Sequence, residues 1–422
     1  MVSALIISIF IAGYLAIAFE HPLRLNKAAS ALITGVLCWT IYIIQADETH
    51  IVTEQLLQHL GEIASILFFL LGAMTIVELI DSHHGFDIIT RKINTNSKSK
   101  LLLIITVLTF FLSALLDNLT TAIVMASLCN KLLDNKEDKL WFCGIIVIAA
   151  NAGGAWSPLG DVTTTMLWIG GQITAINIMK QLILPSIAVT VLPTLIIALR
   201  FKGQVYTSPH KISKIEAKPE GQIILFSGIG FLLFVPIFKT LTHLPPFMGM
   251  LLALGLMWVI TTIIHKNKEP DELEKFTVAK ALQKVDTPSI LFFLGILLAV
   301  STLQSIGILQ QMAVALSKTL KNDYAIGASL GVLSALVDNV PLVAASQGMY
   351  DIQTYPTDHS FWEFLALTTG TGGSAIIIGS AAGVAVMGIE KIDFMWYLKK
   401  ISWLALIGFL TGMIVFLLQK QF

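Results

Sequence analysis

The sequence predicts an all-α polytopic membrane protein. Its plan is an inverted repeat of two halves, each with five transmembrane helices, one of them broken, plus one re-entrant helical hairpin. Three observations carry this. The 422 residues are 55% hydrophobic and 13% charged, against about a quarter charged in a soluble domain. Apolar runs of spanning length recur along the chain. And an unusual word, SALLDN at 113–118, returns as SALVDN at 334–339.

A spanning helix needs about 20 mostly apolar residues. Runs of that kind lie at 2–19, 28–45, 62–81, 141–171, 178–200, 222–239, 246–265, 286–305, 361–389 and 394–419. The first lacks a basic leader and a clear cleavage site, so it reads as a span and not as a removed signal. Segments 99–133 and 323–349 are apolar but carry Asp-Asn at their centres. Each leg of the first has about 15 residues, roughly 22 Å, short of a 30 Å hydrocarbon core. Both segments therefore read as re-entrant hairpins with Asp-Asn at the tip. In 141–171 the run breaks at NAGGAWSPLGDVTTT, and in 361–389 at TTGTGGSA. The division expected is residues 1–200 for the first repeat, 201–221 for a cytoplasmic linker and 222–422 for the second repeat. The charged stretches 201–221 and 266–285 contain no enzyme motif and read as tethers.

With ten spans and two hairpins both termini share a face. Most of the 27 lysines and arginines then fall on the opposite face, while Lys180, Lys239, Lys318, Lys321 and Lys420 fall on the face of the termini. The positive-inside rule makes the lysine-rich face cytoplasmic, with both termini outside. Net charge is +0, so there is no nucleic-acid footprint. Cys38, Cys129 and Cys143 lie in or beside apolar runs and read as small core residues.

The halves repeat in separate matching stretches. SILFFLLGAMTIVELI (65–80) is echoed by SILFFLGILLAVSTLQ (289–304), LSALLDN (112–118) by LSALVDN (333–339), and NAGGAWSPLGD (151–161) by GTGGSAIIIGS (370–380). Five spans per half is an odd number, so the halves must be oppositely oriented, as in many secondary transporters. The first hairpin then enters from the cytoplasm and the second from outside, and their tips can meet near the midplane.

Glycines and Pro158 in the breaks free backbone carbonyls. These join hydroxyls, amide oxygens and carboxylates as hard ligands for a small cation. Half-helix N-termini favour anions instead, so the breaks alone leave the sign open. Asp117, Asp161 and Asp338, with no Lys or Arg in the sequence near the breaks, favour a cation, and an intramembrane charge is expensive enough to mark function. The plainer readings are that Asn118 and Asn339 cap helices at the tips, that Asp117 and Asp338 do so, and that Thr163, Thr164 and Thr165 bond back to their own helix. Glu78, near Asp81, His83 and His84, reads as part of a solvated cytoplasmic cluster, with a proton relay as the alternative. Glu62 and Glu363 read as solvated residues at membrane edges.

At LLGAMTIVELIDSHHGF (70–86), SALLDNLTT (113–121), NAGGAWSPLGDVTT (151–164), SALVDNVP (334–341) and TGTGGSA (369–375) the chain resembles the NhaD-type sodium/proton antiporters of the ion transporter superfamily, over nearly its whole length. Dicarboxylate, citrate and arsenite carriers of that superfamily tend to carry Ser-Asn-Thr motifs at the tips, where this chain has Asp-Asn. The resemblance implies exchange of cytoplasmic Na+, often Li+, for external H+ in a bacterial inner membrane. No cofactor is implied, and the partners are the lipid bilayer and the ions; a homodimer is compatible. One departure limits the symmetry, since Asp161 aligns with Ser380.

On this reading Asp117 and Asp161, with Asn118, Thr120, Thr121, Asn151, Ser157 and Thr163, form a first cation site. Asp338 and Asn339, with Thr369, Thr371 and Ser374, contribute from the other half, and the three carboxylates ligate Na+. Burial raises a carboxyl pKa, so a proton held near neutral pH yields to sodium, and alternating access turns that competition into exchange. Fold analogy makes the hairpins and broken helices the moving part. The rivals are a sodium-coupled anion symporter, a channel, and an intramembrane aspartyl protease built on Asp117 and Asp161. The last lacks its Gly-x-Gly-Asp motif, because Pro158 precedes Leu159-Gly160-Asp161.

Overall fold

A computed structural model of the protein describes residues 2–86, 88, 93, 95–206, 219–266 and 276–421. Most of the expected tether 201–221, and half of that at 266–285, lies outside the described residues. Among these residues the regular elements are all helices; besides single turns at Glu20–Leu23, Gly373–Ala375 and Ile377–Gly379 they are α1 (Val2–Ala18), α2 (Lys27–Ile44), α3 (Thr49–Ser82), α4 (Lys98–Leu116), α5 (Asn118–Leu132), α6 (Lys136–Ala155), α7 (Val162–Ile169), α8 (Ala175–Arg200), α9 (Pro219–Thr242), α10 (Pro246–Ile264), α11 (Val278–Lys284), α12 (Thr287–Ser305), α13 (Ile308–Leu320), α14 (Asp323–Leu333), α15 (Asn339–Met349), α16 (Ser360–Gly372), α17 (Ala381–Glu390), α18 (Phe394–Lys400) and α19 (Ser402–Gln419). Eight of them, α2, α3, α4, α8, α9, α10, α12 and α19, are long and apolar enough to cross a membrane. Large apolar side chains such as Leu199, Phe226 and Leu241 are exposed on the outside of the bundle, as lipid-facing residues are. This is a polytopic all-α membrane protein.

Several boundaries differ from those read in the sequence. Helix α3 has 34 residues and begins at Thr49, well before the expected span. Helix α4 has 19 residues, about 28 Å long, so this leg is not as short as expected. The amphipathic α13 was not anticipated, and the last span is divided at Ile401 into α18 and α19.

Two interruptions place the chemistry. Between α4 and α5 a single residue, Asp117, adopts φ 78° and ψ 156°. A non-glycine residue there carries backbone strain, and the turn is held by its carboxylate, which accepts from the backbone N–H of Thr120 at 2.8 Å. Between α6 and α7 the break spares Asp161 as the cap of α7, accepting from the backbone N–H of Thr163 at 2.9 Å. The hydroxyls of Thr164 and Thr165 donate to the freed carbonyls of Ala155 (3.2 Å) and Pro158 (2.7 Å). Buried backbone acceptors need such partners, which accounts for the run of threonines.

The second half repeats this local geometry. Helix α16 ends at Gly372, two short turns follow, and Ser380 caps α17 by accepting from the N–H of Gly383 at 3.1 Å. Asp161 and Ser380 share φ −143°. Helix α4 packs on α6, and α14 on α16. A Cβ on Gly153 would stand 2.2 Å from the Phe110 carbonyl oxygen, and one on Gly372 would stand 2.0 Å from that of Gly331. Only glycine permits either approach.

Polar contacts at the helix ends sort the bundle into two poles. At one, Lys98 pairs with Asp138 at 2.6 Å, Arg200 with Glu137 at 2.9 Å, and Asn130 donates to Glu390. At the other, Lys420 pairs with Glu363 at 2.6 Å, the Tyr355 hydroxyl donates to Asp323 at 2.9 Å, and the Thr174 hydroxyl donates to Asp358 at 2.8 Å. The starts of α4 and α6 thus share the first pole, and the starts of α14 and α16 share the second.

Candidate functional site

The two Asp-Asn turns and the two helix breaks converge on Asp161. This carboxylate is 2% exposed, and all of its described contacts are donors from the interruptions. Its Oδ1 accepts from the N–H and the hydroxyl of Thr163, both at 2.9 Å. Its Oδ2 accepts from the Asn118 side-chain amide at 3.1 Å and, at the long limit of 3.5 Å, from that of Asn339. One oxygen is therefore shared by the first residues of α5 and α15, one from each half.

Asn151, fully buried on α6, extends the network. Its Oδ1 accepts from Asn118 at 3.1 Å, and its Nδ2 donates to the hydroxyls of Ser374 and Ser380, each at 2.9 Å. The chain from Asn118 to Ser380 has donors and acceptors matched at every link. Such a satisfied network fixes geometry.

A small cavity of about 50 Å³ lies against this cluster, room for a water or two. It is lined by Asp117, Asn118, Asp161, Thr165, Ser289, Asp338 and Asn339 among polar residues, and by Lys27. On the first-pole side it adjoins a vestibule of about 520 Å³ that holds Glu20, Glu78, Asp81, Thr120, Lys284 and Asp286. The vestibule and the inner cavity share Lys27, Met74, Leu119, Ser289 and Ala381 as walls. A third cavity of about 480 Å³, with His59, Glu62 and Gln304, shares no lining residue with the inner one. Between them stands about one helical turn on each of three helices, and adjacent residues of α7 face opposite ways. Leu70, Thr165, Phe293 and Val340 face inward, and Ile66, Met166, Leu297 and Ala344 face the third cavity.

The structure thus gathers Asp117, Asn118, Asp161, Asp338 and Asn339 around one cavity, with Asn151 and Ser374 in the network behind it. Thr120 lies in the vestibule, where its hydroxyl donates to Asp117 at 2.8 Å. Thr163 faces Asp161. The hydroxyls of Thr369 and Thr371 donate to Leu365 and Leu367 of their own helix, and Ser157 accepts from the N–H of Leu159 at 3.3 Å. The Thr121 hydroxyl is buried without a hydrogen-bond partner among the described residues but does not line the cavity. Among the described residues no three acidic, His or Cys side chains stand close enough together to hold a metal ion, so Asp117, Asp161 and Asp338 line one cavity without forming a ready-made cage.

Five readings of the sequence are corrected. Thr163, Thr164 and Thr165 do not bond back to α7: their hydroxyls donate to Asp161, Ala155 and Pro158. The caps at the turns are Asp117 and Asp338, and Asn118 and Asn339 are the first helical residues; the residue before the helix is the one whose side-chain oxygen reaches the first free N–H groups, here those of Thr120 and Val340. Glu363 is not a solvated edge residue, being 1% exposed and paired with Lys420. Glu78 is not merely solvated: its carboxylate pairs with Lys284 at 2.8 Å. And a lysine, Lys27, does line the cavity of the breaks; it lies ninety residues from the first tip, so proximity in sequence did not show it. Ser380 was visible as the counterpart of Asp161, yet its bond to Asn151 was not. Cys38, Cys129 and Cys143 are buried free thiols.

Spanning helices around two facing interruptions, with a buried carboxylate between them, define a membrane transporter of the secondary type. Comparison with known proteins narrows the class. Residues 14–370 match the family model CitMHS, described as citrate transporter. "Sodium/proton antiporter 1" of Arabidopsis thaliana is 46% identical over 407 residues, 96% of this chain and 70% of that protein. "Sodium/proton antiporter 2" of the same plant is 44% identical, over 97% of this chain and 98% of that protein. "Na(+)/H(+) antiporter NhaD" of Vibrio cholerae is 31% identical, over 98% of this chain and 91% of that protein. The chain belongs to the NhaD-type sodium/proton antiporters, a family of transporters and not of enzymes.

Proposed function

We propose that this chain exchanges Na+, or Li+ in its place, for H+, and that Asp161 is the carboxylate at which the ions exclude each other. The observation that carries the reading is the shared Asp161 oxygen, which accepts from a tip of each half beside a cavity. A proton on Asp161 neutralises a buried charge that otherwise costs several kcal/mol. A partly dehydrated sodium ion does the same while recruiting amide and carboxylate oxygens from Asn118, Asn339, Asp117 and Asp338. Each ion removes the reason for the other to bind. Asn151, Ser374 and Ser380 hold the tips in register, and Thr163 orients the carboxylate.

The two tips enter from opposite poles in this proposal, as hairpins of an inverted repeat divided near residues 200 and 222. The polar contacts at the helix ends support it, because α4 starts at one pole and α14 at the other. The first pole, with Lys98 and Arg200, is the cytoplasmic one by the positive-inside rule, and the membrane is a bacterial inner membrane. The vestibule then leads from the cytoplasm to Asp161, while one helical turn bars the outer cavity. Alternating access moves that bar.

Everted membrane vesicles test the reading. Sodium addition should move protons in the wild type, and Asp161→Asn should abolish the movement with the protein still present in the membrane. Wild-type movement in the Asn variant would refute the assignment. Lys27 beside the cavity is the one observation that favours a second reading, sodium-coupled anion symport. Sodium-driven proton movement that needs no organic anion excludes it.

A further inference from the structure

The vestibule and the inner cavity meet at a throat whose one charged wall, among the described residues, is Lys27. This lysine lines both the vestibule and the inner cavity. It is half-buried at the start of α2, with Nζ 4.7 Å from the centre of the fully buried Phe292 ring. A cation at a helix N-terminus also opposes the helix dipole, so its place is not explained by helix stability. The groups around it are acidic on both sides: Glu20, Glu78, Asp81 and Asp286 in the vestibule, with Lys284 the other cation there, and Asp117, Asp161 and Asp338 in the inner cavity.

We propose that Lys27 is a tethered cation at the throat, an electrostatic gate that weakens the hold of the inner carboxylates on both transported cations. The inference rests on the exchange reading above. A fixed positive charge repels sodium and proton alike, so it lowers the affinity for each without choosing between them. Its use is release: an exchanger that binds too tightly turns over slowly. The Phe292 face holds the ammonium at the throat through a cation–π contact.

The sign of the pH effect follows. A nearby positive charge favours the ionised carboxylate, so removing it shifts the pH midpoint of exchange upward. It also lowers the half-saturating sodium concentration measured at alkaline pH, where protons no longer compete. With a unit charge several ångströms away in a partly wet site, each effect should be about fivefold. Proteoliposomes containing the full chain and a pH-sensitive dye test this with Lys27→Gln and Lys27→Arg, scaled to the amount of protein inserted. The Gln variant should show both shifts, and the Arg variant, which keeps the charge, neither. A rate loss in Lys27→Gln with unchanged half-saturation and unchanged pH midpoint would make Lys27 structural and overturn the gate. So would equal shifts in the Arg variant. Absence of sodium-driven proton movement in the wild type would sink the exchange reading instead, so the two failures are told apart.

Discussion

The two halves build the same frame and put different chemistry in it. In the first, Asn118 donates to Asn151 and Asp161 at 3.1 Å each. In the second, the matching Asn339 makes one long contact, across to the same Asp161, and the place of the carboxylate is taken by Ser380. The close glycine contacts and the capped second half-helix recur in both. The even treatment of the frame and the uneven treatment of the polar groups show that packing is repeated while binding is not. A single central carboxylate serves both tips.

Substitutions can break or sharpen this contrast. Each broken helix is tied at its entry by an ion pair, Lys98–Asp138 or Lys420–Glu363, and only in the second is one partner fully buried. Lys420→Met should therefore cost about 3 kcal/mol, by leaving the buried Glu363 charge with only the neutral Asn177 amide, and lower the melting temperature in detergent more than Lys98→Met does. Equal losses would erase that difference between the entries. Gly153→Ala and Gly372→Ala should each cost about 2 kcal/mol through overpacking, and by the same amount if the frames match; a large inequality in thermal unfolding would show that they do not. Asn118→Ala removes two bonds and Asn339→Ala one long one, so half-saturating sodium should rise about tenfold and about threefold respectively. The reverse order would make the second tip the tighter ligand. Ser380→Ala, which leaves Asn151 its bond to Ser374, should cost about 1 kcal/mol or less and keep exchange.

Much of this was legible in the sequence because interruptions of apolar runs are local signals. Asp117, Asp161 and Asp338 stand out where water cannot solvate them, and the repeated word marks the two Asp-Asn turns as counterparts. Distances across the bundle were not legible. Lys27 and Lys420 reach Asp161's cavity and Glu363 only through folding, and nothing near either lysine in the chain announces it. The first leg was also undercounted: α4 keeps helical geometry from Lys98 right up to the strained Asp117 and is longer than the second leg, α5.

Proton release by purified protein tests the central claim most directly. Sodium added to a weakly buffered detergent solution near neutral pH should displace protons from the wild type, and Asp161→Asn should release none while keeping its thermal unfolding transition. Undiminished sodium-dependent proton release from Asp161→Asn would contradict the account.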